Sequence, residues 1–268
     1  MIETAYAKIN LALHLRRRRE DGYHELETVF AFVDQGDVLE ASPAERDELR
    51  VYGEFSAQLS GSIGNIVSQT LTQLRHGRGW SVTLDKRLPV AAGLGGGSAD
   101  AGALFRLVER AHGLPDDWLA RAARLGADVP ACVRSVMCLG HGTGTELTSI
   151  NNDLAGTPVL LVNPRLPLAT GPVFKAWDGV DRGALPSGSA REIALAGRND
   201  LEAPAIALCP GIAEVLAVLG ETDPLLARMS GSGATCFALY AHHDRMAAGL
   251  DYLAERHPEW WTLAGRLR

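Results

Sequence analysis

From residue 5 the chain alternates. Ala5, Ala7, Ile9, Leu11, Leu13 and Leu15 fall on one side of an extended segment, and Tyr6, Lys8, Asn10, Ala12 and His14 on the other. A period of two predicts a strand, with Lys8 and Asn10 side by side on one face. Residues 16–23 are polar and read as a turn, signalled by Asp21-Gly22. A second extended run through Val29, Ala31 and Val33 makes the opening a hairpin. Gly36-Asp37 is expected to close that run, Val38-Leu39-Glu40 to resume a strand, and Glu45-Arg46-Asp47-Glu48 to form an exposed turn.

Helical spacing begins at Asn65, with Ile66, Val67, Leu71 and Leu74 on one face and His76-Gly77-Arg78-Gly79 as the expected stop. Residues 80–84 read as a strand. The run Gly93-Leu94-Gly95-Gly96-Gly97-Ser98 then feeds a helix carrying Leu104, Phe105, Val108 and Ala111, stopped by Gly113. The next helix runs from Asp116 or Asp117, either of which can cap it, to Leu125 and Gly126, and delivers Ala127-Asp128-Val129-Pro130. An apolar stretch, Val136-Met137-Cys138-Leu139, precedes a second glycine-rich turn, Gly140-His141-Gly142-Thr143-Gly144.

Residues 149–158, with Asn151-Asn152-Asp153 and Gly156, are the expected boundary between two lobes, 1–153 and 154–268. The second lobe opens on a strand at 159–162 and holds an insertion at 179–190, expected to be flexible. Helical spacing returns at Ile212, Val215, Leu216 and Leu219, and Met229-Ser230-Gly231-Ser232-Gly233-Ala234-Thr235 leads into a strand at 236–240. Strands and helices mix throughout, so the class is α+β.

Composition removes several functional classes. No apolar run approaches the ~18–20 residues of a spanning helix, and Pro158-Val159-Leu160-Leu161-Val162 is broken at once by Asn163-Pro164. No membrane association is expected. The start Met1-Ile2-Glu3-Thr4 lacks a basic stretch followed by an apolar block, so no export signal is read. Cys132, Cys138, Cys209 and Cys236 include no C-x-x-C pair and read as core residues of a protein in the reducing cytoplasm. A net charge of −6 argues against a nucleic-acid binder. The run Arg16-Arg17-Arg18-Arg19 has two readings, attraction of an anionic substrate or a solvated turn. Of 26 basic residues, only Lys8, Lys86 and Lys175 offer a compact ammonium group.

The glycine run carries the clearest chemistry. Glycine permits close backbone approach, and a helix start supplies unpaired N–H groups and partial positive charge, a combination suited to phosphate. The common templates do not fit. No Gly-Lys-Ser/Thr follows, and the sixth position from Gly93 is Ser98 instead of Gly or Ala, which excludes Walker A and the dinucleotide fingerprint. A tight turn is the competing reading.

The run does resemble the phosphate-binding motif of the galactokinase, homoserine kinase, mevalonate kinase and phosphomevalonate kinase (GHMP) superfamily. There Pro and three residues precede Gly-Leu-Gly, small residues and Ser, here Pro89 through Ala99, with Gly96-Gly97 where many members have serines. Four further blocks stand in the order found in one branch of that superfamily: Ala7-Lys8-Ile9-Asn10-Leu11, Asp21-Gly22-Tyr23-His24, Gly126-Ala127-Asp128-Val129-Pro130 and Met229-Ser230-Gly231-Ser232-Gly233-Ala234. Together they are most similar to the branch that phosphorylates 4-diphosphocytidyl-2-C-methyl-D-erythritol.

That resemblance implies a two-lobed fold, with a left-handed βαβ crossover in the N-terminal lobe and a ferredoxin-like C-terminal lobe. It implies transfer of the ATP γ-phosphoryl group to the 2-hydroxyl of the cytidine diphosphate derivative, with Mg²⁺, by a monomer or homodimer acting on small molecules and not on nucleic acid. Asp128 is then the base and Lys8 its partner; read locally, Asp128 also suits a helix cap or a turn, and Lys8 a surface lysine on an edge strand. Asn65, Pro89, Gly93, Leu94, Gly95, Gly96, Gly97, Ser98 and Ala99 are implied to hold the nucleotide, with Ser98 a candidate Mg²⁺ ligand or a plain N-cap. Asn10, Tyr23, His24, Phe174, Gly231 and Ser232 are implied at the acceptor, Tyr23 and Phe174 stacking on cytosine and His24 reading its edge. Competing readings are another GHMP small-molecule kinase, a nucleic-acid module using Arg16–Arg19 with Tyr23, Phe30 and Phe32, and an inactive nucleotide-binding regulator.

Overall fold

The computed structural model describes residues 1–59, 65–74 and 79–268. Contacts gather them into two compact units: Met1–Lys8, Gln35–Val90 and Gly95–Val136 in one, Ile9–Asp34, Ala91–Leu94 and Met137–Arg268 in the other. This grouping differs from a single cut after residue 153. Two long strands, β1 (Ile2–Arg18) and β2 (His24–Ala44), each contribute residues to both units.

The length of these strands corrects two sequence expectations. Gly36-Asp37 does not close a strand, because β2 runs straight through it. A Cβ on Gly36 would lie 1.9 Å from the Ala5 carbonyl oxygen, so glycine serves here for close approach. Asp37 is buried because Lys86 Nζ and the N–H groups of Arg87 and Leu88 all donate to its carboxylate. Likewise Arg16 to Arg18 continue β1, and the turn begins only at Arg19.

In the first unit, β3 (Glu48–Tyr52), α1 (Ile66–Gln73) and β4 (Gly79–Asp85) follow. β4 pairs antiparallel with β2, from Val38 opposite Asp85 to Ala44 opposite Gly79, and parallel with β3. Parallel neighbours need a crossover, and α1 lies in it. The expected helix stop at His76-Gly77-Arg78 lies outside the described residues. α2 (Gly96–His112), α3 (Trp118–Leu125) and α4 (Val129–Arg134) complete the unit. α2 and α4 pack closely at Gly102, where a Cβ would meet the Cys132 carbonyl oxygen at 2.4 Å. Asp117 occupies the N-cap of α3 without capping it; its carboxylate accepts from Arg121 Nε at 2.7 Å.

The second unit continues with β5 (Cys138–His141), β6 (Glu146–Ser149) and β7 (Pro158–Asn163). Then come α5 (Thr170–Ala176), α6 (Ala190–Ala196), α7 (Glu202–Leu208), α8 (Gly211–Gly220), β8 (Leu226–Met229), β9 (Cys236–Leu239), α9 (His243–Arg256) and β10 (Trp261–Arg266). The strand order β10-β7-β9-β8, antiparallel throughout, has the βαββαβ connectivity of a ferredoxin-like sheet. Its fully buried β7 and β9 support a core with Leu160, Val162, Trp177, Ile212, Val215 and Tyr240. All four cysteines are buried and free.

The irregular segment at 179–190 is tied down at several points. Asp181 meets Arg16, the Leu185 N–H donates to Glu27, and the Gly183 carbonyl accepts from His14 Nδ1 at 3.0 Å. His14 Nε2 in turn accepts the Arg198 N–H at 3.2 Å, which requires the neutral ring. Burial, against the pull of the Gly183 carbonyl and with the Arg198 charge, lowers the His14 pKa below 6.5; burial and Arg18 do the same at His24. Below the unfolded value the unfolded chain therefore binds protons that the native rings refuse, so stability must fall as pH drops through and below about 6.5. Thermal melts from about pH 7.5 to 5.5 should show this decline. It should be shallower in His14→Gln; an identical slope there would remove His14 as its source.

Candidate active site

Within the first unit, the nucleotide candidates gather around the start of α2. Gly95 is its N-cap in a left-handed conformation, φ +59°, and lacks a side chain to cap the first-turn N–H groups. Ser98 therefore sits in the third helical position, which corrects its reading as an N-cap. Its hydroxyl lies 3.9 Å from where a Cβ on Gly126 would be. Asn65 caps α1, accepting the Val67 N–H at 2.8 Å, and Ile66 of that helix lies 3.5 Å from a Cβ position on Gly97. Pro89 and Ala99 are buried on either side of the glycine run.

Lys8 and Asp128 meet in the same unit. Lys8 Nζ is 3.1 Å from Asp128 Oδ2, with the lysine side chain 5% exposed and the carboxylate 33%. Lys8 is not a surface lysine, and Asp128 stands in the turn before α4, at its N-cap position, without making a cap hydrogen bond. The pair borders the glycine run, since a Cβ on Gly95 would be 2.9 Å from Lys8 Cε and 3.6 Å from Asp128 Oδ2. A second of the three lysines also lies by the glycine run, with partners that sequence reasoning did not foresee. Lys86 is buried between Asp37 and Asp100, 2.9 Å from the latter, and 3.1 Å from a Cβ position on Gly96. Burial pushes Asp100 well above the usual carboxylate range, the Asp37 charge adding to it against the pull of Lys86.

In the second unit, Asn10, Gly93 and Gly231 come together, with a Cβ position on Gly231 3.1 Å from Asn10 Oδ1 and 3.4 Å from the Gly93 carbonyl oxygen. Asn10 Nδ2 is fixed by Thr28 Oγ1 at 2.8 Å. Leu94 follows Gly93 and is buried. Ser232 Oγ lies 3.0 Å from Thr170 Oγ1, at the first residue of α5, the helix that carries Phe174. His24 packs on Phe174, ring centroids 5.1 Å apart, and on Trp177 at 5.6 Å. Among the described residues the buried His24 Nε2 and Trp177 Nε1 have no hydrogen-bond partner. Tyr23, the residue before His24, is 62% exposed at the β1–β2 turn.

The arginine run is engaged by the protein itself. Arg16 pairs with Glu27 and Asp181, Arg17 with Glu25 and Arg19 with Asp21, while Arg18 donates to the Lys175 and Trp177 carbonyls. Trp177 and Asn199 escaped the sequence reading, and Ser230 entered it only as part of the block Met229-Ser230-Gly231-Ser232-Gly233-Ala234. Each resembles an ordinary core or turn residue until the partners across the chain are seen.

Residues 65–135 match the family description "GHMP kinases N terminal domain", and residues 183–259 match "GHMP kinases C terminal". A 4-diphosphocytidyl-2-C-methyl-D-erythritol kinase of Novosphingobium aromaticivorans is 70% identical over 99% of this chain and 92% of its own. The kinase of that name from Erythrobacter litoralis is 60% identical over 99% of both. A crystal structure of 4-(cytidine 5'-diphospho)-2C-methyl-D-erythritol kinase superposes with a TM-score of 0.82 at 29% identity, covering 100% of this chain and 99% of that one. The L. major mevalonate kinase in complex with R-mevalonate shares the fold, with a TM-score of 0.69 at 17% identity over 99% and 96% of the two chains. Similarity of this extent over nearly the whole length places the chain in a family: it belongs to the 4-diphosphocytidyl-2-C-methyl-D-erythritol kinases of the GHMP kinase group.

Proposed function

We propose that this kinase transfers the γ-phosphoryl group of ATP to the 2-hydroxyl of 4-diphosphocytidyl-2-C-methyl-D-erythritol, in isoprenoid precursor synthesis by the non-mevalonate route in the cytoplasm. The observation that carries the reading is the Lys8–Asp128 ion pair against Gly95 at the uncapped start of α2.

The acceptor oxygen attacks the γ-phosphorus, the bond to the β–γ bridging oxygen breaks, and ADP leaves. Such a transition state mostly needs positioning and charge neutralisation. Asp128 accepts the hydroxyl proton. Lys8 holds that carboxylate in place through their ion pair and offsets charge on the transferred group. First-turn N–H groups of Gly96, Gly97 and Ser98 face phosphate oxygens, with Asn65, Pro89, Gly93, Leu94, Gly95 and Ala99 shaping the nucleotide site.

Mg²⁺ fits as a partner of the phosphates more than of the protein. Among the described residues no group of three or more His, Cys, Asp or Glu side chains could by itself hold a metal ion, and the Ser98 hydroxyl in the first turn of α2 is the candidate protein oxygen. When bound it neutralises charge on the β- and γ-oxygens.

For the acceptor, Asn10, Gly231 and Ser232 position the phosphate-bearing part and His24, Phe174 and Tyr23 the cytosine. The unpaired His24 Nε2 supports this assignment, since a lone buried nitrogen gains by a hydrogen bond to a base edge. Removing the ring in Phe174→Ala should raise the acceptor dissociation constant roughly 5- to 150-fold, the worth of one stack, with ATP affinity unchanged. Calorimetric titration of each ligand checks it. Equal loss of both would indicate damage to the fold, and no loss of acceptor affinity would remove the ring from the pocket. Mass spectrometry tests the reaction itself, which must add one phosphate to the methylerythritol half of the acceptor.

A further inference from the structure

Ser230 opens the turn between β8 and β9 and is fully buried. Its Oγ donates to the Gly93 carbonyl at 2.7 Å and accepts the Asn10 N–H at 3.2 Å. One hydroxyl thus joins three segments distant in sequence, using both its donor and an acceptor lone pair.

The surroundings leave no slack. A Cβ on Gly93 would lie 2.3 Å from the Ser230 carbonyl oxygen. The turn is braced from behind by Asn199, whose Nδ2 donates to the carbonyls of Met229 and Gly231, each at 2.8 Å. The Ser230 N–H donates to the Thr235 carbonyl at 2.9 Å, and the Thr235 N–H to the Ala92 carbonyl at 3.2 Å. A brace of this kind fixes where the hydroxyl points.

We propose that Ser230 is a positioning residue for phosphoryl transfer, its hydroxyl holding β1 at Asn10 and the glycine run at Gly93 in mutual register. This rests on the kinase function proposed above. Asn10 stands two residues from Lys8, and Gly93 two from Gly95, so a backbone shift at either point is carried along the chain to groups assigned to the transfer. Small displacements are costly in such reactions, because rate depends on alignment more than on affinity.

The test compares the intact protein with Ser230→Ala and Ser230→Thr, measuring kcat, both KM values, ADP affinity by calorimetry and the melting midpoint. Ser230→Ala should lower kcat roughly 10- to 100-fold, with a much smaller change in acceptor KM, and weaken ADP about fivefold or more. Ser230→Thr, which keeps the hydroxyl, should recover most of both. A residue that merely packs would lower the melting midpoint and leave kcat per folded molecule intact. The proposal is overturned by a kcat within about twofold of the parent in folded Ser230→Ala, or by a folded threonine variant as impaired as alanine. Should the threonine variant not fold, the kcat and ADP affinity of Ser230→Ala decide alone. A parent protein inactive on the cytidine acceptor contradicts the function proposed above; Ser230 is then judged on ADP affinity, where no change in Ser230→Ala overturns its role.

Discussion

Asp128→Asn should lower kcat by roughly 10²–10⁴, the usual worth of a positioned acid or base. Asparagine keeps the size and planar shape but cannot take up the proton, and it leaves Lys8 without the carboxylate 3.1 Å away. Asp128 is one-third exposed, so water reaches the pair and the loss of stability stays small beside the loss of rate. ATP affinity should hardly change, because the nucleotide is assigned to the glycine run and the start of α2. Steady-state rates with a melting curve and an ATP titration separate these effects. Near-normal turnover in a folded Asp128→Asn protein removes the carboxylate from the mechanism.

Gly95→Val should abolish measurable nucleotide binding, raising the dissociation constant roughly 100-fold or more. Two independent obstacles coincide there. The backbone is at φ +59°, a region costly for a β-branched residue, and the added Cβ would start 2.9 Å from Lys8 Cε. Relief requires the loop to move or Lys8 to swing, and either disturbs the pair with Asp128. Gly95→Ala should lie between parent and valine, since the end of a lysine side chain can yield. Calorimetry with ATP reads the effect directly, and circular dichroism confirms the fold. Unchanged affinity in Gly95→Val would mean that the run is a turn and nothing more.

Much of this arrangement was legible in the sequence, for identifiable reasons. Alternation exposed β1, and an extended segment that brings Lys8 and Asn10 to one face is a purely local signal. The strand, glycine run and helix were legible because glycine and helix boundaries are also local. Gly36-Asp37 misled because a turn signal and a site of close approach use the same residue types. Only the nearby Ala5 backbone and Lys86 tell them apart. An N-cap is a natural alternative reading of Ser98 because serine favours that position, whereas the left-handed Gly95 takes the cap of α2 and leaves Ser98 in the third helical position. The partner of Asp128 was named from a resemblance, since 120 positions separate it from Lys8 and no periodicity links them. Asn199 and Ser230 stayed hidden for the same reason: their meaning lies wholly in long-range hydrogen bonds.

Among the acceptors of the GHMP group, the cytidine-bearing compound, and neither homoserine nor mevalonate, is the expected substrate of this kinase. Coupled ADP release tests it most directly, with 4-diphosphocytidyl-2-C-methyl-D-erythritol, homoserine and mevalonate offered side by side at equal concentrations. Turnover is expected with the cytidine compound alone, the other two remaining at the background of ATP hydrolysis. Comparable kcat/KM on homoserine or mevalonate, or none on the cytidine compound, would contradict the account.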